Sequence, residues 1–267
     1  MELKVTFHES EQSFVPEFGE VCNVSDGGFE RGYSTGYERG NADGYAEGYT
    51  KGVGEGYERG LSENEAVMDS IIENTCTSLV NDRIKTVNQY LCCQNTSLVE
   101  VNLPNVERVG IRAFQGCSGL LQVYLAKCTT LGDYAFQSCS GMSEFIAPEL
   151  ETTGSYALQS TGITSIVLPK LKTAGTALFY GAWKMHTCDL PVCNSITSTA
   201  FPYCSALTKL ILRSSEVCAL GGGSPFQNTP IEKGKGYIYV PSNLVEQYKT
   251  AANWSTYASQ IKPLGEL

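Results

Sequence analysis

The chain has 267 residues, of which 42% are hydrophobic, and a formal net charge of −9 with a pI near 4.8. An acidic chain repels a phosphate backbone, and no apolar run reaches the roughly 18 to 20 residues that span a bilayer. These values argue against a nucleic-acid partner and against a membrane-spanning helix, and they allow one or two domains.

Residues 1–26 contain two alternating runs, LKVTF and SFVPEFGEV, which predict a short β arm of two strands. Two strands alone are marginally stable in water, so we expect the arm to dock on another chain or on another part of an assembly. The first ten residues lack the basic and then apolar pattern of a cleavable signal, and we expect no export by that route.

Residues 27–61 carry glycine at every fourth position from Gly28 to Gly60, and an aromatic or aliphatic residue follows eight of these nine glycines. Nine glycines cost a lone helix about 7 to 9 kcal/mol relative to alanine, so the pattern predicts a helical stalk only in a homo-oligomer, with a trimer favoured. The predicted contact residues are Gly32, Tyr33, Gly36, Tyr37, Gly44, Tyr45, Gly48, Tyr49, Gly56 and Tyr57. A flexible glycine linker is the alternative.

Residues 62–92 are predicted to cap the repeats that follow. The apolar positions between Ser62 and about Leu79 indicate an amphipathic helix. Ile84, Val87 and Cys92 then precede their counterparts in the next unit by one repeat length, as a half repeat would.

Residues 93–223 repeat one pattern. Its units start at Leu98, Leu120, Met142, Ile163, Met185 and Leu207, so that successive start numbers differ by 22, 22, 21, 22 and 22. A second apolar position follows sixteen residues later in the first five units, at Phe114, Phe136, Leu158, Phe179 and Phe201. A constant period of this size predicts a solenoid in which each unit has one inward-facing strand and a return limb made of a loop and a short helical or 3₁₀ turn.

Residues 224–267 are predicted to form a carboxyl-terminal cap. The run GYIYVP reads as a closing strand, and a helix is expected from Ser242 to about Ala252. Trp254, Tyr257 and Ile261 should complete this lid.

The unit LVEVNLP, followed by Ala113-Phe114 and Cys117, resembles the BspA-type leucine-rich repeats of bacterial and bacteriophage surface proteins. The resemblance implies a right-handed α/β solenoid of about five to six units, with a parallel sheet on one face, that is used for binding. The glycine and tyrosine segment ahead of the repeats resembles the layout of phage tail-associated proteins. That likeness implies a virion location, with the bacterial cell surface as the alternative.

The sheet face is the predicted binding surface, because polar and apolar residues on a rigid sheet suit recognition. Its first row comprises Glu100, Gln122, Glu144, Ser165, Thr187 and Lys209. Its second row comprises Asn102, Tyr124, Ile146, Val167, Asp189 and Ile211. The expected ligand is a protein or glycan of a host or mucosal surface, and other virion proteins are expected to contact the arm.

The candidate chemistry is sparse. The eleven cysteines lack paired metal-ligand spacing and are expected to be packed thiols, so we expect no metal and no cofactor. His8 and His186 fit no catalytic triad. A glycan hydrolase would use a pair of carboxylates, and Glu100 and Glu144 are the candidates, but Gln122 lies between them. We therefore expect a non-enzymatic binding protein, with a glycan hydrolase as the remote alternative.

Overall fold

The computed structural model describes residues 75–267, together with the backbone of three short strands that precede them. These strands are β1 (Lys4–Val5), β2 (Pro16–Glu17) and β3 (Val21–Cys22). The predicted stalk, with all its contact residues, lies outside the described residues.

The described residues form a parallel β-solenoid, since the strands of its first face stack with a step of one repeat unit. These strands are β4 (Ser78–Val80), β6 (Glu100–Asn102), β8 (Gln122–Tyr124), β10 (Glu144–Ile146), β12 (Ser165–Val167), β14 (Thr187–Leu190), β16 (Lys209–Leu212) and β18 (Tyr237–Val240). In β6, β8, β10 and β12 the central residue is buried and its two neighbours point outward. This alternation confirms the predicted inward-facing strand.

A second face of short parallel strands occupies the return limb, for which a loop and a short helical or 3₁₀ turn were predicted. These strands are β5 (Thr86–Val87), β7 (Arg108–Val109), β9 (Thr130–Leu131), β11 (Thr152–Thr153), β13 (Thr173–Ala174), β15 (Ser195–Ile196) and β17 (Ala219–Leu220). The prediction of an α/β fold with a parallel sheet on only one face was therefore wrong, because the return limbs of the described units also form parallel strands. The second apolar pair of each unit lies along this face, as Val106 and Val109 show, and both are buried.

The third side is a chain of turns that we name the turn side. Its backbone bonds each turn to the next, as in Tyr134 N to Ser155 O at 2.8 Å and Phe136 N to Ala157 O at 2.9 Å. Two positions in a typical turn adopt a left-handed conformation, for example Tyr134 (φ 58°) and Ser138 (φ 61°). Such residues reverse the chain without forming a helix.

Stacked aromatic rings fill the interior, as the sixteen-residue spacing predicted. Phe114 and Phe136 are fully buried, with ring centroids 5.0 Å apart. Phe179, Phe201 and Phe226 form a second stack with separations of 5.3 and 5.6 Å. Leu158 occupies the position between the two stacks and is also buried.

Cysteines form a second interior column. Cys117 and Cys139 donate from their thiols to the carbonyls of Cys92 and Phe114 in the preceding turn, at 2.9 and 3.0 Å. Burial raises the pKa of the Cys117 thiol, which keeps it protonated. Nine cysteines from Cys92 onward are free and buried, as expected, but Cys76 is disulfide-bonded, which the prediction of thiols throughout did not foresee.

The helix predicted from Ser62 to about Leu79 falls mostly on residues 62–74, which lie outside the described residues, and only its carboxyl-terminal end can be compared with the structure. Leu79 lies in β4 and pairs in register with Val101, so the helix predicted to reach Leu79 does not do so. Strand β3 pairs with β4, and β1 pairs with both β2 and β3. The β arm therefore extends the first sheet beyond β4, on the side opposite β6.

The carboxyl-terminal cap agrees with the predicted closing strand and lid. Helix α1 (Val245–Thr250) follows β18 and a 3₁₀ turn at Ser242–Leu244, and strand β19 (Ile261–Pro263) pairs with β18. Two further 3₁₀ turns lie at Ser255–Gln260 and Leu264–Glu266. The Trp254 indole donates to the Cys218 carbonyl at 2.6 Å, and the Tyr248 hydroxyl accepts from the Cys218 N–H at 2.9 Å, so the cap is bonded to the last turn.

Candidate functional site

Both sheets are interrupted at one level of the solenoid. The first sheet ends at β10 and resumes at β12, and the second ends at β11 and resumes at β13. Within residues 75–267, no backbone hydrogen bond joins either pair of strands. Cα atoms of β10 and β12 still come within 8 Å of each other. We name this interruption the seam.

The seam coincides with the one shortened step of the repeat, from Met142 to Ile163. Three residues, Cys139, Ser140 and Gly141, precede the unit start at Met142, whereas only Thr161 and Gly162 occupy the same turn before the unit start at Ile163. One residue fewer shortens the extended chain by about 3.3 to 3.6 Å, a large part of the roughly 4.7 to 4.9 Å spacing between strands. Because the deletion falls in a turn, the strands keep their inward and outward faces.

Individual backbone groups record the interruption. The amides of Leu103, Leu125 and Leu168 each donate to the next turn at 2.9 to 3.0 Å. The equivalent amide of Ala147 makes no such bond among the described residues, and neither does that of Thr164 toward the preceding turn. The seam therefore presents backbone donors that the regular junctions satisfy.

The turn side stays continuous across the seam. Tyr156, Leu158 and Ser160 donate from their backbone N–H groups to the next turn at 2.9, 3.1 and 2.9 Å. Each partner lies one position nearer in sequence than the partner at the preceding junction does, so the deletion is absorbed here without loss of bonds. The seam is thus open on two sides and closed on the third.

A glycine column shows how far the second face has opened. A Cβ added to Gly132 would lie 2.7 Å from the Ile111 amide nitrogen, and one added to Gly154 would lie 2.4 Å from that of Asp133. At Gly175, the next glycine of the column, the nearest atom would be the Thr153 carbonyl oxygen at 3.9 Å. On the amino-terminal side of the seam the backbones of neighbouring turns are therefore in close contact, and at the seam they are separated.

Two ion pairs bridge the seam at the surface. Lys170 pairs with Glu149, and Lys172 lies 3.2 Å from Glu151, so both lysines reach back across the gap. All four side chains are substantially exposed, and each pair contributes at most about 1 kcal/mol. At the seam these ion pairs connect neighbouring turns that are joined by backbone hydrogen bonds between strands elsewhere in the solenoid.

On the first face the seam forms a cleft of about 550 Å³. We name it the seam cleft. Its lining comprises Ser143, Glu144, Phe145, Ile146, Ala147, Pro148, Thr164, Ser165, Val167 and Pro169. The cleft combines one carboxylate, three hydroxyl groups and apolar walls. Its volume is within the range of small-molecule clefts.

An apolar strip runs along the second row through this cleft. Tyr124, Ile146 and Val167 expose 41%, 40% and 53% of their surface. Tyr124 is in register with Ile146 on the paired strand, and Val167 faces Ile146 from the other side of the seam. Adjacent exposed apolar side chains of this size mark an interaction surface more often than an inert one.

The structure brings four of the twelve predicted binding residues into the seam cleft, namely Glu144, Ile146, Ser165 and Val167. Glu100, Asn102 and Thr187 are partly exposed, while Gln122, Tyr124 and Lys209 are exposed on the same face. Sequence reasoning missed Ser143, Pro148, Thr164 and Pro169. The shortened step of the repeat was the signal that could have located them.

Asp189 and Ile211 are not exposed as predicted, since they retain only 8% and 4% of their surface. Arg213 covers the carboxylate of Asp189 with two nitrogens, Nη2 at 2.8 Å and Nε at 3.1 Å. Ile211 lies in register between Asp189 and the buried Tyr239, and the turn Leu264–Glu266 packs on β18. The cap therefore closes the second row at its carboxyl-terminal end.

Residues with catalytic or metal-binding potential do not converge in the described part of the chain. Glu100 and Glu144 lie on the first row with Gln122 between them in register. No group of three or more His, Cys, Asp or Glu side chains among the described residues could hold a metal ion. In that same part of the chain, no helix is long and apolar enough to cross a membrane.

The repeated units and their stacked parallel strands define a repeat protein of the leucine-rich type, in which one sheet face is presented to solvent. The family model described as "BspA type Leucine rich repeat region" matches six copies over residues 72–182 and 169–252. The chain belongs to this family.

Two solved structures are similar in part. One is a leucine rich cell surface protein from Faecalibacterium prausnitzii A2-165, with 17% identity and a TM-score of 0.42 over 50% of this chain and 44% of that chain. The other is a leucine-rich repeat protein from Bacteroides ovatus ATCC 8483, with 15% identity and a TM-score of 0.20 over 71% and 79%. The chain thus spans less than half of the Faecalibacterium protein. A comparison with curated proteins gives no match.

Proposed function

We propose that this chain is a non-enzymatic, surface-displayed binding protein, and that its solenoid recognises a protein or glycan of a host or mucosal surface. The observation that carries this proposal is the seam cleft in line with the apolar strip. Three exposed apolar side chains, two of which line the cleft, supply apolar contact area, and the carboxylate and hydroxyl groups of the cleft supply the directional hydrogen bonds that recognition needs.

The test is a double variant, Tyr124→Ala with Ile146→Ser, assayed for binding to mucus-producing epithelial cells. We expect binding to be lost with little change in stability, because both side chains point away from the core. Tyr237→Ala with Val192→Ser is the matched control, since these side chains are 40% and 45% exposed in other turns. Undiminished binding by the first variant would place the site elsewhere.

A glycan hydrolase is the alternative that Glu144 favours, because a carboxylate in a cleft is the usual catalytic group of that class. That chemistry uses two carboxyl groups, and the lining of the seam cleft contains one. Incubation with mucin oligosaccharides, followed by product analysis, separates the two functions. Released sugars that disappear in Glu144→Gln would favour the hydrolase.

We propose further that the protein is displayed on a phage tail or virion, with the bacterial cell surface as the second setting. The proposal rests on the order of arm, glycine-rich segment and repeats in the sequence. In this setting the arm would contact other virion proteins, and residues 27–61 would hold the protomers together. The genomic neighbours of the gene distinguish the two settings.

The oligomer is tested by deleting residues 27–61. Light scattering should show an oligomer for the full chain and a folded monomer for the deletion variant. A full chain that is monomeric at micromolar concentration would support the flexible linker instead.

A further inference from the structure

The distance between β10 and β12 limits the size of the group that can bind between them. Paired strands are about 4.8 Å apart, and β10 and β12 remain within 8 Å, so the gap has widened by at most about 3 Å. Inserting an extra strand would require about twice the normal spacing, or roughly 9.6 Å, between β10 and β12. The seam is therefore too narrow to accept a polypeptide by strand addition.

A gap widened by this amount has room for one oxygen atom between a backbone N–H group of one strand and a carbonyl group of the other. A direct N–H to O=C bond spans about 2.9 Å, and two bonds through one intervening oxygen span about 5.6 to 5.8 Å. That oxygen must accept from one strand and donate to the other, which is the property of a hydroxyl group or of water. The N–H group of Thr164 lacks such a bond and Thr164 is an exposed residue of the seam cleft, so a hydroxyl group could reach it. The N–H group of Ala147 lacks one as well, and Ala147 lines the cleft but is only 1% exposed.

The side chains around these backbone groups complement the same chemistry. Thr164 and Ser165 can both donate and accept. Glu144 accepts, and so can the Ser143 hydroxyl, which donates to the Leu121 carbonyl. Ile146 and Val167 offer apolar surface for the C–H faces of a sugar ring, and the exposed ring of Tyr124 lies next to Ile146 in register. In the seam cleft, side chains that can hydrogen-bond to sugar hydroxyl groups therefore lie next to apolar side chains.

Charge restricts the ligand further. The carboxylate of Glu144 is the only charged group in the lining, and the whole chain carries a net charge of −9. The lysines nearest in sequence, Lys170 and Lys172, are paired with Glu149 and Glu151. An anionic glycan would meet repulsion without a compensating cation.

We infer that the seam cleft binds a neutral oligosaccharide, whose hydroxyl groups bridge the unpaired backbone of β10 and β12. The inference rests on the proposed binding function and narrows it to one ligand class.

The test closes the seam without altering any residue of its lining. Inserting one serine between Thr161 and Gly162 restores the regular repeat length and the turn length of the preceding unit. The control is one serine inserted between Gly222 and Gly223, in a loop remote from the cleft. Binding is measured by calorimetry with short neutral oligosaccharides of hexose and N-acetylhexosamine, and with their sialylated and sulfated counterparts.

We expect the parent chain and the Gly222 insertion to bind the neutral sugars, and the Thr161 insertion to bind them at least about tenfold more weakly, which is about 1.4 kcal/mol. Ile146→Ser should weaken binding similarly, and it keeps the test decisive if the insertion fails to fold. Undiminished sugar binding in the folded insertion variant, or a preference for the anionic sugars, would overturn the inference. If no sugar binds but cell binding still depends on Tyr124 and Ile146, the inference fails while the proposed function stands.

Discussion

The turns on either side of β10 are built from the same unit, yet they are joined differently. Between β8 and β10 the chain is bonded on two sheet faces and on the turn side. Between β10 and β12 only the turn side keeps its backbone bonds, and two surface ion pairs stand in the place of the ladders. The turn that is one residue shorter thus coincides with the change from a continuous sheet to a cleft.

Side-chain columns change at the same level as the backbone. The aromatic column is interrupted at Leu158, and in the thiol column Thr161 takes the cysteine position. Cys139 donates to the preceding turn, whereas the Thr161 hydroxyl donates within its own turn to the Leu158 carbonyl at 3.0 Å. The unit before the seam therefore lacks both the stacked ring and the thiol bond to the preceding turn that the unit before it has.

The largest effect should come from the regular stack below the seam. Phe114→Ala and Phe136→Ala should each lower the free energy of unfolding by about 3 to 5 kcal/mol, because each removes a fully buried ring. Denaturant titration measures the loss. An unchanged midpoint in either variant would contradict the assignment of these residues to the core.

The glycine column offers a matched pair across the seam. Gly154→Ala should cost about 1 to 3 kcal/mol, because its Cβ would lie 2.4 Å from a backbone nitrogen that cannot move alone. Gly175→Ala, with its nearest neighbour at 3.9 Å, should change stability by less than about 1 kcal/mol. Equal costs, measured by thermal unfolding, would mean that the second face is not open at the seam.

Amide hydrogen exchange resolves the junctions one by one. The amides of Ala147 and Thr164 should exchange at least about tenfold faster than those of Leu125 and Ser143, which donate to neighbouring turns. Tyr156 and Leu158 supply the internal control, because their amides cross the same junction and should remain protected. Uniform protection along all these positions would argue for a sheet without a seam.

The smallest effect should come from the ion pairs. Lys170→Met with Lys172→Met should lower stability by at most about 1 kcal/mol per pair, and the difference should shrink in high salt, because exposed charges are screened. Lys85→Met is the control, since Lys85 pairs with Glu107 across a regular junction at 3.8 Å. The seam variant alone should accelerate exchange at Ala147. A salt-independent loss would assign the lysines a packing role.

The sequence was sufficient to predict the period, the inward strand residues and the buried rings, because each of these repeats at a fixed spacing. The second face was missed since strands such as Arg108–Val109 have two residues, which is too short for an alternating pattern to emerge. The one shortened step was visible, but its consequence depends on which sides of the solenoid keep their bonds. That choice is made by packing between turns and has no local signature.

The candidate site was predicted in part for a similar reason. Ile146 and Val167 were identified by alternation, which places them outward wherever the strand is regular. Asp189 obeys the same alternation and is nevertheless covered, because Arg213 reaches it from further along the chain, beyond the end of its own unit. Contacts of that kind lie outside any single unit, so the period does not encode them.

The in-register stacking also bears on how the chain reaches its fold. Most backbone bonds between turns join residues whose separation is within one or two residues of the repeat length, so each new turn closes a loop of nearly constant length. Growth can therefore proceed turn by turn from any nucleus, with a similar entropic cost at every step. At the seam an added turn gains the turn-side bonds without the sheet bonds, and propagation should slow there. The solenoid would then assemble as two cooperative blocks that meet at β10 and β12, with kinetics set by the junction between them.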